Sequence, residues 1–357
     1  MLSWKEEGYF FFENFLLSII LVSRKMRYNS GITYFLRGVN LMNDVCRLLD
    51  LRYPIIQGGM GNISNAELAS AVSEAGGLGT IGAGTMPPDE VEALIVETKR
   101  RTDRPFAVNI PLQVTPHTTE VAELVIQHHV PVVSLSAGNP APWIPRFAEH
   151  GIKVIVVVAS ASQAKKAEAA GADLVVAEGY EAAGINSPLE LTTMTLIPQV
   201  ASAVRIPVVA AGGIGDGRGL LAAFALGAQG VQLGTRLVAT KEAPFHEAYK
   251  QRLVEAKENE TIIVGRSVGR IRRVVRIPYT EKLLEYEQQG MPLEQFQAYT
   301  SEDRHRRGAL LGDFHEGFIN AGQIAGLIDD VPTVAELFEQ MMMEAKTQWQ
   351  SLSEQFR

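Results

Sequence analysis

One cysteine, Cys46, stands in a chain of 357 residues. A single thiol excludes an intramolecular disulfide and any cysteine-built metal site, and no metal is expected; a reducing cytoplasm suits such a chain. Positive charge is also short, since 33 Lys and Arg face 40 Asp and Glu, a formal net charge of −7. Nucleic acid is excluded on that ground, because neutralising phosphates requires a basic footprint. Long hydrophobic runs are scarce as well. The best candidate, Tyr9–Val22, is broken by Glu13, Asn14 and Ser18 and falls short of the roughly 20 apolar residues of a membrane span. Its positive residues Arg24, Lys25 and Arg27 follow the apolar stretch, the reverse of a secretory leader. Residues 1–41 are therefore expected to be an extension apart from the fold, or sequence upstream of a start at Met42, and no membrane is expected.

What is present is apolar material and glycine. Hydrophobic residues make up 46% of the chain and glycines number 32, enough for a large core and many tight backbone approaches. From Tyr53 onward, short apolar runs alternate with helical periods. The predicted strands are Pro54–Gln57, Leu78–Gly82, Phe106–Ile110, Val132–Ser136, Lys153–Val158, Leu174–Ala177, Pro207–Ala211 and Gly230–Gly234. Amphipathic stretches such as Ala66–Ala75, Asp89–Lys99, Ser162–Ala170 and Gly217–Leu226 lie between them. Parallel neighbours need such long crossovers, and continuous Val/Ile/Leu/Ala runs suit strands buried on both faces. An open doubly wound sheet is the rival architecture. Eight repeats within about 190 residues, with glycines at many strand ends, favour a (β/α)8 TIM barrel over residues 42–245.

The rhythm stops after Thr240. Residues 246–307 read as a small helical lid carrying Arg266, Arg270, Arg272, Arg273 and Arg276, and 308–357 as C-terminal helices that complete the barrel. The arginine run suits either a solvated lid surface or a patch meeting the phosphates of a nicotinamide cofactor, coenzyme A or an acyl carrier protein.

In a TIM barrel the chemistry sits at the carboxyl ends of the strands, and loops after strands seven and eight commonly hold phosphate. At those two loops stand Gly212-Gly213 and Gly234-Thr235, which offer bare backbone N–H groups and a hydroxyl. Gly58-Gly59-Met60 after the first strand lets main chain lie flat against a ring system. Asn109, ending the third strand, suits a ring edge because its amide both donates and accepts, or else caps the loop before Pro111. Glu178 ends an apolar strand, where a bare charge is costly, so it should accept hydrogen bonds from backbone, a ribityl chain or an arginine. A Gly-x-Gly-x-x-Gly spacing at Gly77–Gly82 runs into a strand instead of leaving one, so it is no dinucleotide fingerprint.

The blocks Ile56–Gly61, Ala71–Gly84, Pro105–Ile110, Ala137–Pro140, Gly171–Gly179, Leu191–Val200 and Ala210–Thr235 resemble the nitronate monooxygenase family, once called 2-nitropropane dioxygenases. They resemble equally its close relative, the FMN-dependent enoyl-acyl carrier protein reductase. The likeness extends through Gly308–Ile328 and covers nearly everything after residue 45. It implies an FMN-binding barrel in which Gly59 and Met60 lie along the flavin and Asn109 near its edge. Glu178 would face the ribityl chain, with Gly212, Gly213, Gln232, Gly234 and Thr235 around the phosphate. The implied partners are a small-molecule substrate and either dioxygen or NAD(P)H, and assembly as a homo-oligomer stays open.

One position departs from the family. Its loop after strand six runs Glu-x-x-Gly-His, and that histidine serves as base or proton donor beside the flavin. Here the loop reads Glu181-Ala182-Ala183-Gly184-Ile185, and isoleucine transfers no proton. None of the seven histidines falls in this loop; His117 and His246 lie in segments able to reach the mouth, a plain surface position being the rival reading. Tyr180 is the expected surrogate, a phenol on the mouth-side loop, its rival role being aromatic packing. Three activities are therefore open: oxidation of alkyl nitronates with dioxygen, reduction of enoyl thioesters, and flavin binding with little turnover.

Overall fold

The computed structural model of the protein describes residues 43–356; the extension expected over residues 1–41 lies outside them. Eight parallel strands form the centre: β1 Ile55–Gln57, β2 Gly79–Gly82, β3 Phe106–Pro111, β4 Val132–Ser136, β5 Lys153–Val158, β6 Leu174–Glu178, β8 Val208–Ala211 and β9 Gly230–Leu233. A two-residue strand, β7 Gly184–Ile185, interrupts the count. The order β1-β9-β8-β6-β5-β4-β3-β2 is closed by a parallel bridge between Ile56 and Leu78, so the sheet is a TIM barrel and not an open doubly wound sheet. These eight strands are short and mostly buried, with half-buried residues chiefly at the strand ends, as burial on both faces demands.

The crossover helices begin where the sequence supplies caps. The side chains of Asn65, Ser160 and Asp216 accept from Leu68, Gln163 and Gly219 N–H, and Pro88 opens its helix at a position that needs no donor. Most of the apolar core lies between strands and helices. A second cluster fills the barrel itself and includes Ile56, Leu78, Ala107, Val132, Ile155, Leu174, Val176 and Val209. Val45, Cys46, Leu49 and Leu51 belong to the same cluster, so the helix Asp44–Leu49 and the residue pair after it plug the barrel. Asn43 caps that helix and its Nδ2 donates to the Gln229 carbonyl at 2.6 Å, tying the plug to the approach to β9.

Beyond the barrel, residues 246–307 carry the helices Glu247–Val254, Pro278–Gln288, Leu293–Tyr299 and Glu302–Leu311. The segment expected as a small helical lid also carries two strands, since β10 Thr261–Val264 and β11 Arg272–Val275 pair antiparallel. Four β-branched residues in Thr261-Ile262-Ile263-Val264 and the Val274-Val275 pair favour strands, which the flanking arginines obscure in the sequence. β11 also pairs with β7, placing Arg272 opposite Ile185 and Arg273 opposite Gly184. The lid is thereby stitched to the loop after β6. The last helix, Val334–Gln355, opens with a Thr333–Glu336 capping box and packs on the helices Gly217–Ala225 and Ala66–Glu74. Among the described residues no helix is long and apolar enough to cross a membrane.

Candidate active site

A cavity of about 930 Å³ opens at the carboxyl ends of the strands, within the ~300–1,000 Å³ typical of ligand pockets. Gly59, Met60, Asn109, Glu178, Gly212, Gly213, Gln232, Gly234 and Thr235 all line it, drawn together from five strand ends. At one wall Gly59 lies against Asn109: a Cβ there would stand 2.8 Å from the Asn109 Cβ and Oδ1. The Asn109 amide is fixed from β4, with Nδ2 donating to the Ser134 carbonyl at 3.2 Å and to the hydroxyls of Ser134 and Ser136 at 3.2 and 3.1 Å. It does not cap the following loop. Flat glycine backbone beside a held amide presents a planar surface with a polar edge.

The opposite corner is built from backbone. Gly212 and Gly213 have φ of +96° and +72°, the left-handed region that favours glycine. The Gly213 N–H makes no hydrogen bond among the described residues. Gly234 opens the short helix Thr235–Val238 without a side-chain cap, and a Cβ at Gly234 would meet nothing within 4 Å. Thr235 Oγ accepts from the Gly322 N–H at 2.8 Å, which leaves its own proton to donate. The neighbouring helix start is already committed: Asp216 caps it, and Gly217 N–H donates to Glu344 at 2.9 Å.

Glu178 lines the cavity with no protein donor or arginine on its carboxylate among the described residues. Burial at the barrel end pushes its pKa up to about 7. Glu181, three residues on, organises the loop. Its carboxylate accepts from the Thr193 N–H at 2.9 Å and from the Thr193 hydroxyl at 3.0 Å, and its carbonyl accepts from Gln323 N–H at 2.9 Å.

Tyr180, expected as the proton-transfer surrogate, points elsewhere. It is absent from the main cavity wall; its hydroxyl meets Arg266, and its ring lies 4.9 Å from the Arg273 guanidinium carbon. Burial raises its pKa. Ile185 does line the cavity and is 51% exposed. His246 caps the helix that follows it, with Nδ1 accepting from Ala248 N–H at 3.1 Å. His117 stands just before the helix Thr118–Gln127 and does not line the cavity.

Four cavity residues escaped the sequence reading as a group: Arg272, Glu302, His305 and Asn320. His305 is 4% exposed, stacks on Phe318 at 5.2 Å, and its Nε2 lies 3.0 Å from Asn320 Nδ2. Its Nδ1 stands 3.6 Å from Glu302 Oε2, close enough for charge pairing though not a hydrogen bond. Burial would raise the Glu302 pKa, but His305, Arg272 and the Asn62 backbone overcome this and hold it at about 2. Nor is the arginine run a solvated surface throughout, since Arg272 and Arg273 are 8% and 3% exposed. The only sequence signals were an arginine in a run and a histidine in a polar helix. Among the described residues, no cluster of His, Cys, Asp and Glu is built to hold a metal ion.

Comparison with known proteins bears on this site. A family model described as nitronate monooxygenase matches residues 43–121 and 111–344. A probable nitronate monooxygenase of Staphylococcus saprophyticus is 33% identical, over 86% of this chain and 98% of its own. A Mycobacterium tuberculosis protein named as an indene-carboxyl-CoA dehydrogenase is also 33% identical, over 88% and 99%. Among solved structures, FabK from Thermotoga maritima superposes with a TM-score of 0.82 at 43% identity, covering 88% of this chain and 99% of its own. Nitroalkane oxidase from Streptomyces ansochromogenes gives 0.76 at 28% identity, over 85% and 99%.

Proposed function

The chain belongs to the nitronate monooxygenase family, and from that premise we propose that it is an FMN-dependent oxidoreductase that oxidises alkyl nitronates with dioxygen. The observation that carries the reading is the shared cavity: a flat Gly59–Asn109 wall at one side and free backbone donors at Gly213 and Gly234 at the other. Those features fit a planar ring at the first wall and a phosphate at the second. Bound FMN would supply the redox chemistry, taking electrons from the substrate and passing them to dioxygen. The protein's part is to bind and orient. Asn109 would hold the ring edge, Glu178 would accept from ribityl hydroxyls, and Thr235 with the glycine N–H groups would hold the phosphate.

Ile185 favours a nitronate over its parent nitroalkane. A nitronate has already lost its carbon-bound proton, so a base at that position is not needed to start the reaction. A second reading, reduction of enoyl thioesters at the expense of NAD(P)H, draws support from the 43% identity with FabK and the carboxyl-CoA dehydrogenase relative. That reaction needs a proton donor, which Ile185 does not provide. The test is turnover of the purified yellow protein. Oxygen uptake dependent on propyl-2-nitronate, with released cofactor migrating as FMN, supports the first reading. Anaerobic bleaching by NADH coupled to crotonyl thioester replaces it with the second. Bound flavin without either activity leaves a flavin-binding protein.

A further inference from the structure

Two adjacent arginines on β11 have opposite fates. Strand alternation sends them to opposite faces. Arg273 is satisfied by protein: it donates to the Tyr180 carbonyl at 3.0 and 3.2 Å and to the Thr261 hydroxyl at 3.3 Å. Arg272 is 8% exposed, lines the cavity, and lies 5.1 Å over the Phe318 ring. Among the described residues it makes no side-chain hydrogen bond and no ion pair, although Glu302 is near enough to act on it through space. A guanidinium carries five N–H donors, and burying them without acceptors is costly. Such a group is retained where a ligand brings the acceptors.

We propose that Arg272 is the anion-binding residue of this cavity and takes a planar, two-oxygen organic monoanion, a nitronate or a carboxylate, on its guanidinium fork. The fork matches such a head with two parallel N–H···O bonds. Register places Arg272 opposite Ile185, so the anion would sit beside the position where the resembled enzymes carry histidine. Asn320 adds to the same wall. Its Oδ1 is buried without a partner while Nδ2 faces His305. Rotating that amide presents Nδ2 to the anion and lets Oδ1 accept from the Nε2–H tautomer of His305. Arg272 is thus a specificity-determining residue. The inference deepens the proposed function and rests on it for the nitronate case, whereas the carboxylate case does not depend on turnover.

The probe is isobutyrate, which carries two methyl groups and a two-oxygen head, titrated calorimetrically into the FMN-loaded protein, with uncharged isobutyramide as control. The Arg272→Met variant should bind isobutyrate roughly 10- to 100-fold more weakly, as expected for losing a charge-assisted hydrogen bond. Arg272→Lys, which keeps the charge and loses the fork, should fall between. Retained visible flavin absorbance and melting temperature show that the cavity survives, and the lysine variant serves if the methionine variant does not fold. A parallel rise in KM for propyl-2-nitronate assigns the anion to the nitronate head; an unchanged KM assigns it to a carboxylate elsewhere on the substrate. Wild-type protein that binds isobutyrate no better than isobutyramide overturns the proposal, as do variants that bind it like wild type. Failure of the FMN reading is seen separately, as colourless protein or absent oxygen uptake.

Discussion

Replacing Glu178 by glutamine should make the apoprotein more stable at alkaline pH. The carboxylate ends β6 and has no protein donor among the described residues, and burial lifts its pKa from an ordinary 4.5 to about 7. The folded state therefore keeps a proton that the unfolded chain gives up. Stability is lost as pH rises from about 4.5 through about 7, and the penalty is complete above that window. At roughly 1.4 kcal/mol per pH unit the full penalty is about 3 kcal/mol, less whatever water in the open mouth screens. Glutamine keeps the shape and cannot ionise. Urea unfolding of apoprotein should show wild type losing stability between pH 5 and pH 8, and Glu178→Gln losing much less. Loading with FMN should reverse the preference, because ribityl hydroxyls give an ionised carboxylate its donors; the variant should bind FMN about tenfold more weakly at pH 8. Identical pH profiles for the two apoproteins would refute the desolvation argument. Unchanged FMN affinity would remove Glu178 from the ribityl site.

Other outcomes follow from single contacts. Thr235→Val leaves the buried Gly322 N–H without its 2.8 Å acceptor, so it should cost about 1–3 kcal/mol of stability and lower FMN affinity; equal melting curves would refute this. Cys46 is sealed in the barrel plug, where burial pushes its thiol up to about 12, so a disulfide reagent at pH 8 should label it only after unfolding. Immediate labelling of native protein would mean that the plug opens. Ile185→His returns a proton-transfer group to the cavity mouth and should raise activity on neutral nitroalkanes, by up to ~10²–10⁴, with much less effect on preformed nitronates. Equal effects on both would show that position 185 acts through shape alone.

The barrel and its polar floor were legible in the sequence because both rest on local requirements. A strand buried on both faces must be an unbroken apolar run, as over residues 154–158 and 174–177, and a parallel neighbour requires a helix-length return. Backbone that turns with positive φ selects glycine where it turns, as at Gly212 and Gly213. Strand ends in a closed barrel converge whatever their spacing in the chain, so Gly59, Asn109, Glu178 and Thr235 could be placed together from order alone. Local pattern did not decide which way a side chain on a loop faces. Tyr180 and Ile185 lie five positions apart on one loop, yet only Ile185 lines the main cavity, because Arg266 and Arg273 draw the phenol aside. Nor did it reveal the wall formed by Arg272, Glu302, His305 and Asn320. Those four come from a lid strand, a lid helix and the returning tail, and they meet only because β11 pairs with β7 and the tail folds back beneath the lid. Hydrophobic period and glycine placement record what each segment needs from its own backbone; the company a buried charge keeps is set by segments far away in the chain.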